Sequence, residues 1–181
     1  MASLDFDLEK DIFRKFYEEK SRHLTSASEL LRSLINSLIQ QDGKILISKI
    51  DNRVKEKEEC IKKFQRKYLT DAETNNTPYT IKDHITDLIG IRIVCLYEDD
   101  IENIKKLLSE NFNVIEVTDK ISHMESKEDS FGYKGLHMDI KFNNSRDQLP
   151  EYKIYNDLQF EIQIRTIIQD SWSVLDHKIK Y

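Results

Sequence analysis

Hydrophobic side chains recur at helical spacing in the first quarter of the chain. Aromatic residues and then leucines and isoleucines return every three to four positions between residues 7 and 40, which is typical of an amphipathic helix. Gly43 follows and is expected to end this helix. The same periodicity predicts helices over residues 99–110 and from about 166 to 180. The chain is therefore expected to begin and end with a helix.

Short runs rich in β-branched and aromatic residues lie between these helical segments. Strands interleaved with helices, with the last strands adjacent in sequence, indicate an α/β (α+β) fold. We predict a single domain, in which a helical segment (1–43) packs on a core (44–181) with a mixed sheet of about five strands. Between the strands we expect a basic helix ending near Tyr68, a loop over 71–79 and a short helix over 81–88. The strand candidates are 44–55, 90–97, 113–118, 132–142 and 158–165.

Composition excludes several classes of protein. The 181 residues include 39% hydrophobic and 34% charged side chains, which suits one well-solvated domain with a core of its own. No apolar run approaches the roughly 20 residues that cross a bilayer, and the first ten residues contain no secretory signal. Cys60 and Cys95 are too few for a disulfide framework or a zinc site. The cytoplasm is the compartment that these features favour.

The charge is unevenly distributed. The net charge is -5, yet the stretch from Lys49 to Lys67 contains eight basic residues and four acidic ones. A basic segment in an acidic protein favours a local anionic ligand, such as a nucleotide, over a nucleic-acid polymer. A solvated helix face is the alternative interpretation, and charge alone does not separate the two.

Two predicted strands carry chemistry on one face. Alternation places Glu161, Gln163 and Arg165 on one side of a strand whose other side is apolar. The preceding strand presents an aromatic ring, a glycine and an imidazole in the same way, which suits a platform for a nucleotide base. An ordinary half-buried strand shows such alternation too. The polar face of that preceding strand is formed by Tyr133, Gly135, His137 and Asp139.

Further charged groups complete a set that fits phosphoryl or pyrophosphoryl transfer. Asp87 stands just ahead of a buried strand and Arg92 just inside it, while Arg53 and Lys55 share a strand face and Lys63 follows on the basic helix. Such transfer needs carboxylates that hold a divalent cation, cationic groups on the phosphates, and a positioned hydroxyl. An acidic residue at the start of a strand, such as Asp87, can alternatively serve only to form the preceding turn.

Taken in chain order, these motifs resemble the synthetase domain of RelA/SpoT proteins, and most closely the small alarmone synthetases. The resemblance covers residues 44–181 and implies a nucleotidyltransferase-like sheet. No single motif is specific for this family, but the order and spacing of all the motifs together are specific for it. The motifs are Arg53-x-Lys55 with Lys63, Asp87 to Arg92, Gly132-Tyr133 with His137, Glu161 to Thr166, and Trp172 with His177 and Tyr181.

The resemblance implies roles on the ATP side of a site. Asp87 and Glu161 correspond to the catalytic carboxylates and to the ligands of Mg²⁺, and Glu161 is the candidate to accept the proton of the 3′-hydroxyl. Arg53 and Arg92 are similar to the pair that sandwiches the adenine ring. The lysines that contact the ATP phosphates correspond to Lys55 and Lys63.

On the acceptor side, Tyr133 corresponds to the ring that stacks on guanine, with His137 and Gln163 nearby. The family's usual lysine four residues before this tyrosine is Asp129 here, and Lys127 is the nearest replacement. The stretch 125–130 contains three acids and one lysine. We therefore expect GDP or GMP to be used at least as well as GTP, because the acids repel each further phosphate.

The resemblance implies a magnesium-dependent enzyme that transfers diphosphate from ATP to GDP or GTP (or GMP) and releases AMP. Its partners would be ATP and a guanine nucleotide, with no membrane. The His-Asp motif of the family's hydrolase domains does not occur in the sequence. Three alternatives stay open: an adenosine nucleotide as acceptor, the 3′ end of tRNA as acceptor, and a silent nucleotide-binding regulatory module. It is also open whether this chain is a domain of a longer protein and whether that protein forms a homo-oligomer.

Overall fold

The computed structural model describes residues 2–119, 135–146 and 148–180. Seven helices and five strands are found in these ranges, together with a π-helical turn at Gln65–Leu69. The helices are α1 (Phe6–Asp42), α2 (Lys57–Phe64), α3 (Thr70–Thr74), α4 (Ile81–His84), α5 (Asp99–Asn111), α6 (Pro150–Lys153) and α7 (Ile167–Lys180). The strands are β1 (Ile47–Val54), β2 (Ile89–Cys95), β3 (Phe112–Asp119), β4 (Leu136–Phe142) and β5 (Phe160–Thr166).

The five strands form one sheet in the order β1-β2-β5-β4-β3. The pair β2–β5 is parallel, whereas β1–β2, β4–β5 and β3–β4 are antiparallel. The predicted mixed sheet of about five strands flanked by helices is thus confirmed. The parallel pair at the centre places the beginnings of β2 and β5 at the same end of the sheet.

One face of the sheet is apolar and is covered by α1 and α5. Leu31 and Ile35 of α1 are fully buried in the same cluster as Ile91 and Ile162 of the central strands. The hydrogen bond from the side-chain amide of Asn52 to Ser28 Oγ, 2.8 Å long, satisfies a polar pair between α1 and β1. This packing leaves the opposite face of the sheet for polar side chains.

The ends of α1 follow ordinary capping chemistry. The carboxylate of Asp5 accepts a hydrogen bond from the backbone N–H of Leu8, which satisfies an otherwise unpaired donor of the first turn. Gly43 adopts a left-handed conformation with φ of 69° and donates its N–H to Ile39 O, as helix-ending glycines do. The end of the helix predicted at Gly43 is confirmed.

A smaller apolar cluster attaches the basic helix α2 to the beginning of α1. Phe64 is fully buried there, and its ring lies 4.9 Å from that of Tyr79 and 5.2 Å from that of His84. With α2 held on its apolar side, its Lys63 contacts the carboxylate of Asp87, just before β2.

Two sequence expectations are wrong in detail. Residues 70–74 are helical rather than loop, and the side chains of Thr74 and Asn75 donate back to the carbonyls of Thr70 and Asp71. The helix expected over 81–88 ends at residue 84, because the backbone of Leu88 is paired with Lys55 through a 2.8 Å hydrogen bond. Helix α6 lies in the connection between β4 and β5. Of the strand expected over 132–142, residues 132–134 lie outside the described residues.

In the part of the chain that the structure describes, none of the helices combines the length and the hydropathy needed to cross a membrane.

We predict that Ile35→Ala lowers the free energy of unfolding by about 2–5 kcal/mol, because it leaves a cavity between α1 and the sheet. The matched control is Ser33→Ala, an exposed position on the same helix, which should change stability by less than about 0.5 kcal/mol. Urea denaturation followed by circular dichroism measures both. Equal effects of the two substitutions would contradict the packing described for α1.

Candidate active site

The polar face of the sheet carries two rows of side chains that cross its strands. The register aligns Asp139 with Glu161, Glu161 with Gly90, and Gly90 with Arg53. Directly paired residues of neighbouring strands point to the same face. Because Gly90 has no side chain, the first row has an open gap between Glu161 and Arg53.

On each strand, the second row lies two residues away from the first, at higher numbers on β2 and β5 and at lower numbers on the antiparallel strands β1 and β4. It aligns His137 with Gln163, Gln163 with Arg92, and Arg92 with Asp51. The predicted polar faces are thereby confirmed for His137 and Asp139 of β4 and for Glu161 and Gln163 of β5. These rows bring residues from four separate strands into one surface.

Glu161 is held by side chains of the second row. His137 Nδ1 lies 3.1 Å from its Oε1, and Gln163 donates from Nε2 to its Oε2 at 3.0 Å. Arg165 Nη2 in turn donates to Gln163 Oε1 at 2.7 Å, which fixes the orientation of the amide. Burial alone would raise the pKa of Glu161, but the hydrogen bonds from His137 and Gln163 outweigh burial and lower it. Glu161 is therefore an ionised, oriented carboxylate that only accepts hydrogen bonds.

Asp87 lies just before β2 and is held by two lysines. Lys55 Nζ and Lys63 Nζ contact its Oδ2 at 2.7 and 2.8 Å. Burial would raise the pKa of Asp87, but the hydrogen bonds from Lys55 and Lys63 prevail and lower it. The other oxygen, Oδ1, is buried and has no hydrogen-bond partner among the described residues. Unpaired buried carboxylate oxygens are costly, so this atom is a natural ligand for a cation or a water.

Asp87 and Glu161 interact although they are distant in sequence. The charge of Asp87 acts on Glu161 and opposes the lowering of its pKa. Among the described residues, no group of three or more His, Cys, Asp and Glu side chains is placed to hold a metal ion. Among the described residues, the candidate protein ligands for a metal at this end of the sheet are therefore Asp87 and Glu161, and substrate or water would supply other ligands, as is usual for Mg²⁺.

A third carboxylate, Asp139, belongs to this region and was given no role from the sequence. Burial and the neighbouring charge of Glu161 raise its pKa, and Gln159 Nε2 donates to its Oδ2 at 3.0 Å. Asp139 and Glu161 line a pocket of about 120 Å³ together with Glu116, Thr118 and His137. Only the pairing of β4 with β5 reveals this proximity, since 22 positions separate the two acids.

On the other side of Glu161, Arg53 and Arg92 line a second pocket, of about 110 Å³. Gly90 lines the same pocket, and a Cβ at this position would lie 3.6 Å from the Arg53 side chain. Because glycine has no side chain, the pocket leaves space for a flat ring to approach the guanidinium groups.

Asp170, in the first turn of α7, holds three cationic side chains and was not singled out from the sequence. Its carboxylate lies 3.1 Å from Lys49 Nζ, 3.4 Å from Arg92 Nη1 and 3.5 Å from Arg165 Nη1. Arg165 is 2% exposed, and burial, followed by repulsion from Arg92, lowers its pKa to about 10. No sequence pattern marks Asp170, because its role depends on α7 folding back over β2 and β5.

The structure thus brings together eight of the ten residues predicted for the site. One group is Asp87 with Lys55 and Lys63, and another is Glu161 with its hydrogen-bonded neighbours. Two acceptor-side predictions, Tyr133 and Lys127, lie outside the described residues. The remaining predicted residues are Arg53 and Arg92 at the second pocket, and His137 and Gln163 beside Glu161.

Residues 52–181 match the family model described as "Region found in RelA / SpoT proteins". The chain belongs to the RelA/SpoT family. It is 32% identical over 152 residues to the GTP pyrophosphokinase YwaC of Bacillus subtilis (strain 168). That match covers 80% of this chain and 66% of YwaC, so the RelA/SpoT chain described here spans slightly less than two thirds of the length of that curated relative.

Solved structures agree with this assignment to the RelA/SpoT family. The small alarmone synthetase 2 of Bacillus subtilis is 28% identical, with a TM-score of 0.67 over 91% of this chain and 80% of that one. The small alarmone synthetase 1 of the same organism, bound to its product pppGpp, is 24% identical. It has a TM-score of 0.68 over 92% of this chain and 80% of that one. At that identity the second likeness concerns the fold.

We predict that Gly135→Ala destabilises the protein by about 1–3 kcal/mol, as overpacking of a close contact does. A Cβ at Gly135 would lie 3.1 Å from Arg165 Cγ and 3.3 Å from Ile164 O. The matched control is Gly90→Ala, whose added Cβ would make ordinary contacts at 3.6 Å and should change stability by less than about 1 kcal/mol. Thermal unfolding compares the two, and equal stabilities would contradict the close contact at Gly135.

Proposed function

We propose that this chain transfers the β,γ-diphosphate of ATP to the 3′-hydroxyl of GDP or GTP (or GMP) and releases AMP. The observation that carries the proposal is the pair of carboxylates Asp87 and Glu161, whose pKa values are lowered and whose charges interact, beside a lysine pair and an arginine pocket. The relative YwaC, 32% identical, is named a GTP pyrophosphokinase. Since ATP and guanine nucleotides are cytoplasmic metabolites, we place the reaction in the cytoplasm.

ATP would bind across the β1–β2 side of the polar face. Adenine would enter the pocket between Arg53 and Arg92, since guanidinium planes stack well on aromatic rings. Lys55 and Lys63 would turn from Asp87 to the phosphates, which are stronger acceptors with more charge. Their departure would leave both oxygens of Asp87 free for a cation.

Asp87 and Glu161 would hold Mg²⁺, and the buried, unpartnered Oδ1 of Asp87 fits such a ligand. When bound, this ion neutralises charge on the phosphates and aligns them for in-line displacement. Before substrate binds, hydrogen-bond donors lower the pKa of both carboxylates, so no proton has to be displaced from either when a cation enters at neutral pH.

Glu161 would also act as the general base. Its carboxylate takes the proton of the 3′-hydroxyl as the 3′-oxygen forms its bond to the β-phosphorus. The bond from the β-phosphorus to the oxygen that bridges it to the α-phosphorus breaks, and AMP leaves with that oxygen. His137 and Gln163 hold Glu161 in place for this step through the contacts at 3.1 and 3.0 Å.

The guanine nucleotide would bind on the β4 side. We propose that Tyr133 stacks on the guanine and that Lys127 contacts its phosphates, with His137 and Gln163 near the ribose. Glu116 and Asp139 line the pocket beside Glu161. Their carboxylates disfavour a polyanion such as tRNA at this position, which supports a mononucleotide acceptor.

Incubation with Mg²⁺ and ATP labelled at the β-phosphate tests the function directly. With GDP, GTP or GMP present, we expect the label in a guanosine 3′-diphosphate and equimolar release of AMP. If the label is transferred only to an adenosine nucleotide or to tRNA, that molecule is the acceptor and the proposed guanine nucleotide is not. Binding of ATP without AMP release would instead indicate a silent regulatory module.

We predict that Asp87→Asn and Glu161→Gln each lower kcat by at least about 10²-fold, the lower limit for loss of a positioned acid–base group. Far-ultraviolet circular dichroism should stay unchanged. The control is Glu110→Gln, an exposed residue of α5, which should retain full activity. An active Asp87→Asn enzyme would exclude Asp87 from the chemistry.

Removal of either arginine of this pocket should raise KM for ATP but not KM for the guanine nucleotide. We predict that Arg53→Ala or Arg92→Ala raises KM for ATP about 2- to 30-fold, which corresponds to the loss of one cation–π contact of roughly 0.5–2 kcal/mol. KM for the guanine nucleotide should stay within twofold, and Arg32→Ala on the exposed side of α1 serves as the control. Parallel increases in both KM values would show that the pocket does not select the donor.

A further inference from the structure

The junction between β5 and α7 is fixed by its own hydrogen bonds. Helix α7 begins at the residue that follows β5. Thr166 Oγ1 accepts a hydrogen bond from the N–H of Gln169 at 3.2 Å, and Gln169 Oε1 accepts one from the N–H of Thr166 at 2.9 Å. This reciprocal pair is the capping box of helix N-termini. Asp170 is the next residue in the chain, so its backbone is held close to the end of β5.

The carboxylate of Asp170 lies beside two arginines of neighbouring strands. Its Oδ1 is 3.4 Å from Arg92 Nη1 and 3.5 Å from Arg165 Nη1, and Asp170 itself is buried. Like charges repel more strongly where water is excluded, and the charge of Arg92 acts unfavourably on Arg165. One carboxylate next to both guanidinium groups offsets this repulsion and keeps the two arginines in place.

A first contact path leads from Asp170 to the arginine pocket. Arg92 lines that pocket together with Arg53. Among the described residues, the carboxylate that contacts Arg92 is that of Asp170, and Arg92 Nε is buried without a hydrogen-bond partner. The guanidinium plane of Arg92 is therefore oriented from its Nη1 end, by Asp170.

A second contact path leads from Asp170 to Glu161. Arg165 Nη2 donates to Gln163 Oε1 at 2.7 Å, and Gln163 Nε2 donates to Glu161 Oε2 at 3.0 Å. A guanidinium group only donates hydrogen bonds, so Arg165 selects the amide oxygen and leaves the amide NH₂ facing Glu161. The other nitrogen of the fork, Arg165 Nη1, donates to Ser173 Oγ at 3.1 Å and lies beside Asp170. Helix α7 thus fixes the arginine that orients Gln163.

We propose that Asp170 is a positioning residue for both halves of the reaction. Through Arg92 it places one wall of the adenine pocket, and through Arg165 and Gln163 it orients Glu161, the general base. The inference rests on the proposed function, which assigns Arg92 to the donor and Glu161 to the proton transfer. Binding of ATP and the chemical step then depend on the same buried carboxylate.

Steady-state kinetics of the full chain, with the acceptor that the labelled-ATP assay identifies, test both paths. Asp170→Asn should lower kcat about 10-fold or more, as loss of a group that orients a metal-binding side chain does. It should also raise KM for ATP at least about 2-fold, the lower limit for loss of a cation–π contact. The matched control is Asp99→Asn, an exposed acid in the first turn of α5, which removes the same charge and should leave both constants unchanged.

Arg165→Lys separates the two paths. Lysine keeps the charge that Asp170 compensates, but its single ammonium group lacks the planar fork that reaches Gln163 and Ser173 together. The value of kcat should fall about 10-fold, whereas KM for ATP should stay unchanged. In the double variant Asp170→Asn/Arg165→Lys, kcat should fall no further than in the more severe single variant, because both changes break the same path. Since Arg165→Lys retains the cation, it tests this path even if Asp170→Asn does not fold.

The orientation of Gln163 is measured without substrate. In two-dimensional amide NMR spectra, the side-chain NH₂ signals of Gln163, identified by their loss in Gln163→Glu, should shift in Asp170→Asn and in Arg165→Lys. They should stay in place in Asp99→Asn. Unshifted signals in the first two variants, losses of kcat that add in the double variant, or equal kinetics for Asp170→Asn and Asp99→Asn would overturn the proposal. Failure of AMP release would overturn the enzymatic function, and the amide shifts would still decide whether Asp170 orients Gln163.

Discussion

The parallel pairing of β2 with β5 is the constraint on which the site depends. Parallel strands begin at the same end of a sheet, so Asp87, just before β2, and Glu161, at the beginning of β5, lie at the same end although 74 positions separate them. The antiparallel neighbours β1 and β4 then add Arg53 on one side and His137 on the other. A shift of one residue in the β2–β5 register would turn these side chains toward α1. The buried isoleucines on the opposite face prevent that shift.

The second requirement is that buried acids stay ionised. Burial raises a carboxyl pKa, and at Asp87 and Glu161 specific donors reverse this effect, namely two lysines in one case and His137 with Gln163 in the other. Among the described residues the donor to Asp139 is the amide of Gln159, and burial together with the charge of Glu161 raises the pKa of Asp139. The donors around each acid thus distinguish the two carboxylates suited to metal and base chemistry from the third. Asp170 plays the corresponding part for the cationic residues, because it compensates Arg92 and Arg165 where α7 covers them.

Much of this arrangement could be predicted from the sequence, because it rests on local periodicity. Alternation in β5 placed Glu161, Gln163 and Arg165 on one face, and helical spacing gave α1 and its end at Gly43. Tertiary contacts decided the rest: α4 stops early because Leu88 pairs with Lys55, and Asp139 and Asp170 join the site only through strand register and the path of α7. The division of the chain at residues 43 and 44, and the roles of Tyr133 and Lys127, stay predictions.

The central claim is that Asp87 and Glu161 act together on one metal–nucleotide complex. Calorimetric titration with a non-hydrolysable ATP analogue, with and without Mg²⁺, gives the metal-dependent part of the affinity. Asp87→Asn and Glu161→Gln should each remove most of it, and the double variant should lose no more than the more severe single one, as for groups that act as a unit. Losses of free energy that simply add in the double variant, or a metal-dependent affinity that survives both substitutions, would contradict the claim.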